Sequence, residues 1–524
     1  MAVACSDGES VLDAGNDESS TPAGSEPPSP PDRPDGSDPV SGADGAPDTV
    51  GEGTAVGGPI DTGTAGSGSA SPDPGSTTTV APLRDLPDCP VEALEPAAST
   101  DGPVEITFWH SMGNQLETAL VSLVDDYHAG QELVRVVLQN QTSYESTIDK
   151  YVQGSPASRP DIVQIPEYVT QSFAESETFV PVESCIRAAA WDTSAVLPRA
   201  LDTYAFQGVQ WAMPFNVSAP VLYFNEIMFR TAGLDPADPP VSLEEVRSAS
   251  QSLVDSGAST YGLVLDSGRD SGGGWFFEHW FGRAGEPYAD NGNGRLAPAT
   301  QVLFDSQLGV DLLTYLQDLI TDGLAVSVGD NPGGQDTFLK MVDQSEPGAM
   351  TIATSAAMSS VFEALGAGIA PGVGPDDLGV GPMPGPGDQP AVQVGGAALW
   401  IPAGRSDETT AAAWHLLTYL LDAQTQSTWT AATGYVPVRS DAVDLDPIAT
   451  TYADDPRFRV AYDQLLTSSD DPSSVVPALG PLREIRSETA DAIAAVYAGA
   501  DVEETLAEAA RRANRLLDAY NAQN

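Results

Sequence analysis

A chain of 524 residues with 41% hydrophobic content is long enough to build several cores at about 100–200 residues per domain. Its formal net charge of −53 repels nucleic acid and anionic headgroups alike, which excludes a nucleic-acid partner. No run of about 18 apolar residues is present, so the chain as read does not span a membrane, and membrane contact is expected through a lipid anchor only.

Residues 1–102 differ in kind from the rest. Ser, Gly, Pro, Thr and Asp dominate, as in Glu26-Pro27-Pro28-Ser29-Pro30-Pro31-Asp32. Such a segment cannot bury enough surface to offset its ordering entropy, which predicts a disordered tether. Near its start, Cys5 follows Ala2-Val3-Ala4, a pattern similar to the end of a bacterial lipoprotein signal. The apolar stretch that precedes such a cysteine is missing, so a start site further upstream is expected; a chance terminal cysteine is the alternative. Cys89 and Cys185 flank the first folded segment, and in an oxidising compartment they are expected to pair as a disulfide.

From Val104 the pattern alternates strand and helix. Residues 104–109 read as a strand ending at His110-Ser111, and Leu116, Leu120, Leu123 and Tyr127 then recur at helical spacing. A strand at 134–138, a helix at 143–153 and a strand at 161–165 complete a βαβαβ order. That order predicts an open parallel sheet with ligands at the strands' carboxyl ends. His110, Tyr144 and Glu167 fall at or just beyond such ends.

Pro214-Phe215-Asn216-Val217-Ser218-Ala219-Pro220 reads as a tight polar turn pinned between prolines, running into an apolar strand at 221–224. Helices at 225–232, 243–254 and 303–321 follow, then strands at 349–354 and 395–401. Helices at 407–421 and 423–431 come next, and two more complete the chain. The fold class expected is α/β with two lobes, giving about 420 folded residues.

Candidate chemistry is sparse but specific in type. Glu167 follows Ile165-Pro166 directly after a strand; it either accepts hydrogen bonds from ligand hydroxyls or begins a helix. On the helix from Arg483, Arg486 lies inside an apolar arc with Ile485, Thr489, Ala492, Ile493 and Val496. An inward guanidinium needs either a protein carboxylate or an anionic ligand such as phosphate. Tyr435 sits on a Gly-Pro loop, and Trp275 and Trp280 follow the Gly272-Gly273-Gly274 run; packing and ligand contact are both open for them. Four scattered histidines, without HExxH, CxxC or a P-loop, argue against a metal site or a cofactor.

Phe108-Trp109-His110-Ser111-Met112, the Pro214–Asn225 block, Ala232-Gly233-Leu234-Asp235-Pro236, Gly395-Gly396-Ala397-Ala398-Leu399-Trp400 and Thr433-Gly434-Tyr435-Val436-Pro437 occur in this order. Together they resemble the glycerol-3-phosphate-binding proteins of ABC importers, within the sugar-binding class of extracellular solute-binding proteins. The resemblance spans 104–523. It implies a periplasmic-binding-protein-like (class II) fold with the ligand cleft between the lobes. The first lobe is expected to comprise 103–215 plus 343–395, and the second 216–342 plus 396–524.

By motif, the resemblance places ligand contacts at Tyr144, Glu167, Ser218, Gly396, Tyr435 and Arg486. A hydroxyl contact falls at Thr354 or Ser355. The family's tryptophan over the glycerol moiety has no clear counterpart, with Trp275 slightly later in sequence, which predicts a more open pocket. The function implied is capture of glycerol-3-phosphate or a glycerophosphodiester such as glycerophosphocholine by an extracytoplasmic, lipid-anchored monomer that delivers it to membrane permease subunits. A binding protein for neutral di- or oligosaccharides is the nearest alternative. A hydrolase using Glu167 and Glu278 as acid and base is the remote one, and no enzymatic activity is expected.

Overall fold

The computed structural model describes residues 86–387, 392–469 and 471–523. The expectations for Cys5 and for the tether up to residue 85 lie outside the described residues. Within them the folded part begins earlier than residue 103. A helix spans Leu94–Asp101, Leu94 is buried, and Cys89 is joined to Cys185 by a disulfide with a Cα–Cα distance of 4.9 Å.

Thirteen strands are present among the described residues. They are β1 (Val104–His110), β2 (Val134–Asn140), β3 (Ile162–Pro166), β4 (Phe179–Val180), β5 (Ala205–Phe206), β6 (Val209–Gln210), β7 (Met213–Ser218), β8 (Pro220–Asn225), β9 (Tyr261–Leu265), β10 (Ala325–Ser327), β11 (Gly348–Thr354), β12 (Leu378–Pro382) and β13 (Gly395–Pro402). The first sheet has the order β2-β1-β3-β13-β4, with β7 also paired to β13; the second has the order β10-β9-β11-β8-β12. In each sheet a central strand is flanked by parallel partners, β1 by β2 and β3, and β9 by β10 and β11. In each, the next strand then runs antiparallel, β13 beside β3 and β8 beside β11. This repeated order is the two-lobed class II arrangement. The inner parallel strand β3 is buried throughout, whereas the edge strand β2 exposes Arg135, Gln139 and Asn140, and the helix Asn114–Gly130 buries Leu116, Leu120, Leu123, Val124 and Tyr127 at three- and four-residue spacing.

The lobes divide the chain differently from the expectation. β11 and β12 belong to the second sheet, where Met350 lies opposite Phe224 and Leu378 opposite Asn225. β13 belongs to the first sheet, with Ala397 opposite Pro166. Helices Asp407–Leu420 and Ala423–Thr433 pack on the first lobe, whereas Val460–Thr467 packs against β8 and β12. Hydrophobic pattern reveals that a segment is a strand; it carries no information on which sheet completes its backbone pairing.

The proline-bracketed block also takes another form. Residues 213–218 are strand β7 and 220–225 are strand β8, so the segment crosses between the sheets at Ala219 instead of turning. Asn216 is fully buried and its polar groups are occupied: Nδ2 donates to the Tyr144 hydroxyl at 2.7 Å, and Oδ1 accepts from Gln164 Nε2 at 2.8 Å. Pairing with β13 supplies the hydrogen bonds a turn would have left open.

The disulfide closes a loop of 96 residues, so it restrains the unfolded chain strongly. Replacing Cys89 and Cys185 together by Ala is expected to lower the unfolding free energy by about 2–4 kcal/mol, read as a lower urea midpoint.

Candidate functional site

A cavity of about 610 Å³ lies at the seam between the two sheets. First-lobe elements bring Tyr144, Glu145, Glu167 and Tyr168 to it, at the carboxyl ends of β2 and β3. Tyr144 is held there because Ser143 caps its helix, accepting from Ser146 N, while Glu167 directly follows the last residue of β3. The crossing strand contributes Ser218, and β13 contributes Gly396. Second-lobe elements supply Asp266 to Ser271 after β9, Trp275 at the start of the helix Trp275–Ala284, and Thr354 at the end of β11. Tyr435 and Arg486 complete the wall.

Most of the expected site residues therefore meet in one place; Ser355 stands apart, Trp275 and Trp280 take different roles, and Gly396 has a backbone role beside its place in the wall. Ser355 does not line the cavity: it is fully buried and its hydroxyl accepts from Ala219 N at 3.3 Å, so Thr354 is the hydroxyl at the wall. Thr354 ends β11 and Ser355 opens the short helical turn Ser355–Ala357, so these neighbours point in different directions. Trp280 is a core residue whose Nε1 donates to the Pro384 carbonyl at 2.9 Å, whereas Trp275 faces the cavity. Gly396 serves first the protein's own backbone: at its φ of +95°, a Cβ would sit 2.0 Å from the Asn216 carbonyl oxygen of β7. Its neighbour Gly395 leaves room for the indole of Trp275, whose Cζ2 would lie 2.1 Å from an added Cβ.

The electrostatic centre is Arg486. It is 1% exposed, and its helix buries Leu482, Ile485, Thr489, Ala492, Ile493 and Val496 on the same face, the arc expected from spacing. Its guanidinium is gripped side-on by Glu278, with Nε–Oε1 and Nη2–Oε2 both at 2.8 Å, and Nη1 donates to Glu167 Oε1 at 3.1 Å. Of the two partners left open for Arg486, the structure supplies the protein carboxylate, and supplies it twice. The aromatic ring of Tyr168 lies 5.0 Å from the guanidinium carbon.

Burial pushes the Glu167 carboxyl up to about 7, against the opposing pull of Arg486, and the nearby Glu278 adds to the rise. Burial likewise raises Glu278, again opposed by Arg486. Sequence placed Glu278 only in the remote hydrolase alternative, not beside Arg486, and it stands as a lone carboxylate in Trp275-Phe276-Phe277-Glu278-His279-Trp280-Phe281. A charge on a helix with no polar face needs a buried partner, and that was the available signal.

A second set of ion pairs rims the cavity. Glu145 of the first lobe meets Arg269 at 2.8 Å, pairs with Arg483, and accepts from the Tyr168 hydroxyl at 2.6 Å. Arg269 is also clamped by Asp270, Nε–Oδ1 3.1 Å and Nη2–Oδ2 2.7 Å, and Arg483 reaches Asp149 at 2.9 Å. The cavity lining carries more acidic than basic side chains, since Glu145, Glu167, Asp266, Asp270, Asp330 and Asp491 line it beside Arg269 and Arg486, with Arg483 paired to Glu145 at the rim. Asp266 accepts from Gly268 N at 2.9 Å and from Gly272 N at 3.0 Å, and burial raises its carboxyl. Among the described residues no group of His, Cys, Asp and Glu is arranged to hold a metal ion.

Comparisons with known proteins bear on this arrangement. The sn-glycerol-3-phosphate-binding periplasmic protein UgpB of Yersinia pseudotuberculosis is 27% identical over 424 residues, covering 78% of this chain and 91% of that protein. UgpB of an Escherichia coli strain is 27% identical over 444 residues, covering 83% and 98%. Among solved structures, UgpB of Mycobacterium tuberculosis in complex with glycerophosphocholine superposes with a TM-score of 0.66 at 22% identity, covering 80% of this chain and all of that one. The cyclic α-maltosyl-1,6-maltose binding protein of Arthrobacter globiformis gives 0.65 at 23% identity, covering 79% and 99%. The family model described as bacterial extracellular solute-binding protein matches residues 122–460. With that match over more than half its length, this chain belongs to the bacterial extracellular solute-binding proteins.

Proposed function

We propose that this protein captures a glycerophospho compound, glycerol-3-phosphate or a glycerophosphodiester such as glycerophosphocholine, and delivers it to the permease subunits of an ABC importer. The observation that carries the reading is the meeting of Tyr144, Ser218, Thr354 and Tyr435 with a buried guanidinium, Arg486, in one cavity at the lobe seam. Hydroxyls suit glycerol and phosphate oxygens, and a guanidinium suits an anion. The buried indole N–H of Trp275, which has no hydrogen-bond partner in the structure, adds a donor in want of an acceptor. Lobe closure would trap the ligand because contacts from both lobes favour the closed state only when both are made.

Within that class, the acidic wall favours a diester carrying a positive head group over the glycerol-3-phosphate dianion. Aromatic side chains at Tyr144, Trp275 and Phe276 line the cavity, and aromatic rings suit such a cation. Attachment through Cys5 and action as a monomer belong to the same reading. So does the absence of catalysis, which the engagement of both Glu167 and Glu278 by Arg486 supports. The pairing of Arg486 with two carboxylates also supports a second reading, a neutral oligosaccharide bound without charge compensation.

Titration calorimetry with glycerophosphocholine, glycerol-3-phosphate and maltose separates these readings. The expected order is glycerophosphocholine tightest and maltose undetectable; saturable binding of maltose alone would replace the phosphate reading with the sugar one. Unchanged ligand after prolonged incubation is the expected sign of a binding protein, and a hydrolysis product would overturn it. Ser218→Ala and Tyr435→Phe, each removing one hydroxyl, are expected to weaken glycerophosphocholine binding by roughly threefold to tenfold. Arg486→Ala strands two buried carboxylates, and its unfolding free energy is expected to fall by about 3–5 kcal/mol, seen as a lower melting temperature before any ligand is added.

A further inference from the structure

Arg486 is already saturated by acidic side chains, and this constrains how any anion reaches it. Three negative groups around one guanidinium, in a site where Arg486 is 1%, Glu278 0% and Glu167 5% exposed, would leave two uncompensated charges out of water. One carboxylate must leave or be neutralised when an anion arrives. The two are not held equally. Glu278 makes two bonds of 2.8 Å from the same side of the seam as Arg486, whereas Glu167 makes one of 3.1 Å from the first lobe and lines the cavity.

Resting on the glycerophospho reading above, we propose that ligand capture is an exchange: the phosphate takes Nη1 of Arg486 from Glu167, and Glu167 binds one proton from solvent, while Glu278 keeps its two bonds. The balance is simple. Before binding, Arg486, Glu278 and Glu167 carry a net charge of −1; after binding a phosphodiester of charge −1, with Glu167 neutral, the cluster with its ligand again carries −1. No covalent bond changes. The neutral Glu167 carboxyl, now a donor as well as an acceptor, is suited to a phosphate or glycerol oxygen. Glu278 thereby acts as a positioning residue that fixes the guanidinium plane and directs Nη1 towards the cavity.

The groups around Glu167 agree with this direction. Arg486 from the helix Leu482–Tyr497 is the positive group facing it, and Glu278 from the helix Trp275–Ala284 is the negative one. Tyr204, following the helix Pro198–Thr203, is also within electrostatic reach, and its hydroxyl is pushed well up by burial and by Glu167, so it stays neutral. Strand β13 packs against Glu167 and contributes no titratable side chain. Tyr168 carries its hydroxyl towards Glu145. With the Glu167 carboxyl already raised to about 7, loss of its bond to Arg486 raises it further. The sign follows: below about pH 7 the unliganded carboxyl is largely protonated and binding takes up little, whereas above it binding takes up a proton and weakens as pH rises.

Glycerophosphocholine is the probe that isolates this effect, because a phosphodiester does not titrate near neutrality. Calorimetry of the full chain in two buffers of different ionisation enthalpy is expected to give an uptake approaching one proton per ligand near pH 8 and close to none near pH 5.5. The association constant is expected to fall towards tenfold per pH unit above about 7. Glu167→Gln is expected to abolish both the uptake and the pH slope of whatever binding remains. Binding near pH 8 with no proton uptake would overturn the exchange and leave the ligand assignment standing. No binding at either pH would overturn the ligand assignment, and the exchange with it. The wild-type chain decides the matter whether or not the variant folds.

Discussion

The arrangement of this molecule depends on one buried cation. A guanidinium that is 1% exposed is tolerable only if its donors are met, and Arg486 meets them with Glu278 on one side and Glu167 on another. These three residues come from three segments far apart in sequence. The Trp275–Ala284 and Leu482–Tyr497 helices belong to one side of the seam, and the end of β3 belongs to the other. Their ion pairs therefore do more than neutralise charge: they set the helices' rotation about the cavity and join the lobes across it. The outer pairs of Glu145 with Arg269 and Arg483 repeat the motif nearer to solvent, where each pair is worth less.

Around that centre the backbone is arranged so that the seam can be crossed without leaving polar groups bare. β7 and β8 are almost continuous, yet each pairs in a different sheet, and Ala219 between them donates its N–H to the buried Ser355 hydroxyl. Asn216 is tied to Gln164 and to Tyr144, which couples the crossing strand to a cavity residue. Gly395 and Gly396 make this possible through absence of side chains, one admitting the Trp275 ring and the other the Asn216 carbonyl. Motion of one lobe against the other would be felt at once by the residues that face the ligand, since the same strands do both jobs.

Two consequences follow for recognition. A site lined by more carboxylates than guanidinium groups can discriminate by total charge as well as by shape. An arginine held by protein carboxylates is also pre-oriented, which lowers the ordering cost of binding but demands that something be displaced. The same contacts that stabilise the unliganded molecule thus set the terms on which a ligand enters.

Local order was written plainly in the chain. Strands at 104–110, 134–140, 162–166, 348–354 and 395–402 lie within a residue or two of where alternation and turn residues place them, because a strand's apolar face is a local property. The inward direction of Arg486 was equally legible, since 100° per residue fixes its azimuth among Ile485, Thr489 and Ile493. Helices Ile448–Asp454 and Val460–Thr467 are among those that escaped, because two turns are too few to establish a periodic apolar face, and Trp275–Ala284 escaped because it is apolar nearly all round. Which sheet β11 and β13 join, that Thr354 and not Ser355 reaches the cavity, and that Glu278 holds Arg486 were decided by the tertiary structure alone. Periodicity says which side of an element is apolar; only the packed fold chooses the partner for a backbone edge, a hydroxyl or a charge, because that choice is made between segments hundreds of residues apart.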